Sequence, residues 1–80
     1  MKVRQLQEHL SKLDPDSDVI CLTDDPNLLA AGMGFRVLEI EDVNTTEAER
    51  TRLDDNTPYL KLGKSPNSKA LATLVLTGDL

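Results

Sequence analysis

Val3, Leu6, Leu10 and Leu13 recur along the chain at steps of three, four and three. That spacing gathers them on one face of a helix with a 3.6-residue period. Asp14-Pro15-Asp16 ends the helix, because the residue before a proline is pushed out of the helical region. Asp18 to Thr23 is then a short apolar run with β-branched members, the first strand. Asp25-Pro26-Asn27-Leu28-Leu29-Ala30-Ala31-Gly32 carries a capping aspartate, a proline suited to the first helical position and a glycine suited to the position past the end. It predicts one or two helical turns at about residues 26–31. Leu28 and Leu29 within it either tuck into the core or bind something, and a small core favours tucking.

The second strand is Gly34 to Val43, with imperfect alternation. Phe35 and Val37 share a face with Glu39 and Glu41, while Leu38 and Ile40 share the other, a mismatch that a bulge or twist reconciles. Residues 44–56 are polar and charged. Thr46-Glu47-Ala48-Glu49 matches a helix capping box, so the segment admits a short helix or a disordered excursion. Thr57 to Leu62 is a third strand with Leu60 and Leu62 inward and Pro58 at its first residue or on an edge. After the turn Gly63–Lys69, Ala70 to Thr77 forms a fourth strand. Both of its faces are apolar, which suits a central position. The order of elements predicts an α+β fold: one small domain over 1–80, with the N-terminal helix packed on a four-stranded, mainly antiparallel sheet and a hairpin joining the last two strands. On this reading Leu6 and Leu10 are buried against the sheet.

Composition narrows the function. Fourteen of the eighty residues are leucine, and Phe35 and Tyr59 are the only aromatics. So aliphatic a core disfavours stacking on bases or sugars. The net charge of −5 is unevenly spread: residues 14–55 hold twelve carboxylates against Arg36, Arg50 and Arg52. Phosphate binding needs clustered Lys and Arg, so direct contact with nucleic acid is not expected. No apolar run approaches the ~20 residues of a membrane span, and the N-terminus lacks the apolar region of a signal peptide. The expected compartment is the cytoplasm.

The chain offers little to chemistry. His9 and Cys21 are the only residues of their types, too few for a His/Cys zinc site. His9 sits at the boundary of the leucine face, and no nucleophile pairs with it from sequence. Asp14, Asp16, Asp18 and Asp25 imitate the spacing of a calcium loop, but Val19 stands where the sharp turn needs glycine, and Pro15 stiffens the second position. Asp14 and Asp16 read better as turn formers around Pro15. Gly32-Met33-Gly34 and Gly63-Lys64-Ser65 lack the context of nucleotide-binding loops. No catalytic residue, metal site or cofactor is expected.

Val3 to Val19 resembles the start of a loose group of small bacteriophage and bacterial proteins, which begin V-x-x-L-x-x-x-L-x-x-L and continue P-x-D-x-x-V into a strand. The likeness covers about a quarter of the chain. Lys2 stands where many members place a capping Thr or Ser. The resemblance implies a phage- or prophage-type accessory protein and transfers no functional residue. The expected function is non-enzymatic binding of another protein with a basic surface. The alternative is an acidic inhibitor that mimics nucleic acid. In a meander the end of one strand lies near the start of the next, so Glu41, Asp42, Asp54 and Asp55 are expected to be neighbours. They form the electrostatic part of the candidate binding surface, with Leu28 and Leu29 as its apolar part.

Overall fold

A computed structural model describes residues 1–79. The fold is α+β: helix α1 (Val3–Ser11), strand β1 (Cys21–Thr23), a 3₁₀ turn (Pro26–Leu28), and strands β2 (Arg36–Arg52), β3 (Pro58–Leu62) and β4 (Lys69–Thr77). The chain forms two compact units, one of residues 1–41 with the C-terminal end from Leu76, the other Asp42–Val75.

In the first unit, α1 begins where the Lys2 backbone N–H donates to Gln5 Oε1 at 2.6 Å. The Gln5 side chain thus supplies half of a capping box that Lys2 cannot complete. Lys12 N–H donates to the His9 carbonyl at 3.4 Å at the other end. The leucine face is only partly covered: Leu6 is half-buried, whereas Leu10 remains 44% exposed. The expected burial of Leu10 is therefore not met. β1 is shorter than the apolar run from Asp18 and ends where its partner begins, with Thr23 opposite Arg36. The antiparallel register sets Cys21, Leu22 and Thr23 against Leu38, Val37 and Arg36. Val19 and Ile20 lie outside the strand and are exposed.

The central element is β2, seventeen residues long. It pairs with β1, β3 and β4, in the order β1-β2-β3 with β4 also on β2. This corrects the reading of residues 44–56 as a helix or loop: strand pairing continues to Arg52. In the second unit Ala48 to Arg52 run antiparallel to Leu62 to Pro58. Thr46 Oγ1 accepts from Thr73 Oγ1 of β4 at 2.9 Å. These partners satisfy backbone groups that local propensity alone would leave to water or to a helix. It also corrects the expected hairpin: among the described residues β4 pairs with β2 and not with β3, so it is an edge strand rather than a central one. Gly63 turns the chain with φ 99° while its N–H donates to the Glu47 carbonyl at 2.9 Å. That positive φ is open to glycine without strain.

Little of the apolar content is enclosed. Ala48, 1% exposed, is the buried hydrophobic residue among those described, and no larger side chain is fully covered. The accessible area is 7089 Å². No helix is long and apolar enough to cross a membrane.

Candidate functional site

The segment after β1 is organised by short-range polar contacts. Thr23 Oγ1 accepts from the Asp25 N–H at 3.2 Å, and Asp25 Oδ1 accepts from the Asn27 N–H at 3.0 Å. Asp25 thereby caps the 3₁₀ turn, with Pro26 in the position that needs no donor. The Met33 N–H donates to the Ala30 carbonyl at 3.1 Å, and Gly32 takes φ 83°. These turns fold the chain back before β2 and leave an open groove of about 520 Å³. Leu28, Leu29, Met33, Phe35 and Arg36 line it. Leu29 is half-buried, but Leu28, Met33 and Phe35 stand 52%, 56% and 49% exposed. Leu28 is therefore open to a partner, against the expectation that a small core would take it in. Met33 and Phe35 join the site although the sequence reading had not placed them there. The apolar pair interleaved with Gly32 and Gly34, just ahead of the alternating strand, was the available signal.

The structure places the four carboxylates expected to cluster on different elements, Glu41 and Asp42 in β2, Asp54 and Asp55 in the turn after it. Asp42 lies within β2, and Asp54 lies beyond its end. The ten steps from Asp42 to Arg52 span about 33 Å along an extended strand. The physical reason is the continuation of β2 through the stretch expected to fold back. Asp42 is occupied locally, accepting from the Val43 N–H at 2.9 Å and from Asn44 Nδ2 at 3.1 Å. Glu41 is exposed in β2.

Asp54 and Asp55 sit in the turn between β2 and β3. The Leu53 N–H donates to the Thr57 carbonyl at 2.9 Å, and the Asn56 N–H to the Leu53 carbonyl at 2.8 Å. Asn56 adopts φ 70°, a region that asparagine tolerates better than most residues. Asp55 Oδ1 accepts from the Thr57 N–H at 3.0 Å. The Thr57 hydroxyl, and after it the Thr57 amide, hold the Asp55 carboxyl below its ordinary value. Asp55 is a turn-building residue in this setting. Arg52 closes the same turn by donating from Nη1 to the Asn56 carbonyl at 2.9 Å.

The remaining singled-out residues have local roles. Asp14 Oδ1 accepts from the Asp16 N–H at 2.9 Å, the turn expected around Pro15. His9 is exposed in the last turn of α1, and Cys21 is a half-buried free thiol in β1. Among the described residues no three His, Cys, Asp or Glu side chains converge in a metal-holding arrangement. In the second unit an open groove of about 580 Å³ is lined by Arg50, Thr51, Arg52, Pro58, Tyr59 and Leu60. No protein-family model matches the chain, and neither a curated protein nor a solved structure is significantly similar to it.

Proposed function

We propose that this chain acts by binding another protein and performs no chemistry of its own, as a cytoplasmic accessory protein of the phage type that its first residues resemble. The observation that carries the reading is the open apolar groove of residues 27–36, where Leu28, Met33 and Phe35 stand about half exposed. An apolar patch with a polar surround is the usual anatomy of a protein interface. The exposed Asp24 and Asp25 directly precede the groove in the chain. With the acidic middle of the sequence they favour a partner whose facing surface is basic. Exposed apolar side chains support this reading over mimicry of nucleic acid, which needs carboxylates in a phosphate-like row.

The test is affinity capture from a bacterial lysate with the wild-type chain and with Leu28→Asp/Phe35→Ser as baits. Both residues are exposed, so the variant keeps its fold. A protein retained by the wild type should bind the variant at least about tenfold more weakly, since truncating central apolar contacts commonly costs more than 1 kcal/mol. Retention of the same proteins by both baits, or of none by either, overturns the reading.

A further inference from the structure

The paired parts of β2 and β3 lie within one compact unit, Asp42–Val75. Their register sets Ala48 against Leu62, Arg50 against Leu60 and Arg52 against Pro58. Directly opposite residues of an antiparallel pair share a face of the sheet, and so do alternate residues along one strand. These six residues therefore stand on one face. Glu49 and Lys61, opposite each other, stand on the other. The arginine face thus carries two positive charges and no carboxylate from Ala48 to Arg52 or from Pro58 to Leu62. It is closed at Ala48, 1% exposed, and opens towards the turn, where Arg50 and Arg52 are exposed. There the groove of about 580 Å³ gathers both arginines with Thr51, Pro58, Tyr59 and Leu60. Of the two carboxylates in the adjoining turn, Asp55 is engaged by the Thr57 N–H at 3.0 Å, and Asp54 is exposed.

We propose that this groove binds a phosphate monoester, with Arg50 and Arg52 as a clamp of two guanidinium groups. Each arginine is a planar fork of N–H donors that stays charged. Two residues apart on one strand face, their Cα atoms are about 7 Å from each other, so both side chains can reach one small anion. Arg52 is already oriented: its Nη1 donates to the Asn56 carbonyl at 2.9 Å. That bond ties its head to the turn and leaves its other N–H groups for a ligand.

Charge selects the class of ligand. A carboxylate has one charge and two oxygens, and a single guanidinium fork satisfies it. A phosphate monoester carries about two charges and three terminal oxygens, so it can use both forks. Nucleic acid presents a row of singly charged diesters, which calls for a longer line of cations than this pair in a chain of net charge −5. Pro58, Tyr59 and Leu60 offer apolar wall to the group that carries the phosphate, with Tyr59 standing 54% exposed. That group is either a phosphorylated side chain of a protein or a small phosphorylated molecule, and the recognising chemistry is the same. The inference is independent of the groove at residues 27–36, and its experiment needs no captured partner.

The test is an NMR titration of the full chain with phenyl phosphate at low ionic strength, followed at the backbone amides and the arginine Nε–H groups. Saturable shifts are expected at Arg50, Arg52 and Tyr59, with a Kd of about a millimolar. Phenyl sulfate has the same shape and one charge fewer, and should bind about tenfold more weakly. Arg50→Gln, at an exposed position outside the turn, should weaken phenyl phosphate about tenfold, and Arg50→Lys should recover only part of the loss because an ammonium has no fork. Lys61→Gln removes an equal charge from the opposite face and should leave the affinity unchanged. A phosphotyrosine peptide separates the two sources: tighter binding than phenyl phosphate assigns the site to a modified protein, and equal or weaker binding assigns it to a small phosphomonoester. Absence of a saturable shift with phenyl phosphate overturns the proposal. So does equal binding of phenyl sulfate, an affinity that Arg50→Gln leaves intact, or a loss as large in Lys61→Gln.

Discussion

Asp55 joins local geometry to a measurable charge state. Its carboxylate accepts from Thr57 inside a turn that Asn56 completes in the left-handed region. Hydrogen bonds to the charged form lower a carboxyl pKa. The sign for stability follows: the contribution is fully present above the unfolded-state value and is lost as pH falls through the lowered folded-state value. The carboxyl titration of Asp55, followed by NMR, should have its midpoint below the ordinary 3.8, and Thr57→Val should move it back upward. A midpoint unchanged by Thr57→Val would remove the hydroxyl from the account. Leu28 teaches a different lesson at the same scale. Its leucine identity suggested burial, but the Asp25–Pro26 cap fixes the turn whether or not Leu28 is covered. Local capping was legible in the sequence; the exposure of a side chain on that turn depends on what packs over it, which sequence does not encode locally.

At the scale of elements, α1, the 3₁₀ turn and the two shorter strands β1 and β3 follow from periodicity and turn chemistry. The length of β2 does not. Thr46-Glu47-Ala48-Glu49 carries the spacing of a capping box, yet it lies in a strand because β3 and β4 supply partners distant in sequence. Ala48 is the one apolar residue of Thr45–Arg52, so no period-two alternation of apolar and polar residues stood against the helical signal. The distance along the chain between Asp42 and Asp54 follows from that one element, since a strand that continues carries its carboxylates apart. For α1 the partial covering of its apolar face sets the scale of mutational effects. Leu6→Ala should cost about 1–2 kcal/mol and Leu10→Ala less than about 1 kcal/mol, below the 2–5 kcal/mol of a fully buried leucine. Urea unfolding of the two variants measures both, and equal losses of several kcal/mol would mean that the helix face is enclosed in solution.

For the whole molecule, the governing quantity is apolar surface. Ala48 is its one buried hydrophobic residue among those described, while leucines, valines and Phe35 remain open to water. Folding leaves a chain only marginally stable even when a core is enclosed, so the stability of this chain should respond to a protein that covers the exposed apolar groove of residues 27–36, as proposed. A species that binds only the folded chain raises its apparent stability by mass action. The most direct measurement is chemical denaturation of the chain alone and with a protein captured through that groove. At a free partner concentration about one hundred times its Kd the apparent stability should rise by about 2.7 kcal/mol, and Leu28→Asp/Phe35→Ser should abolish the rise. A midpoint that the partner leaves unmoved, or moves equally in the variant, would contradict the account.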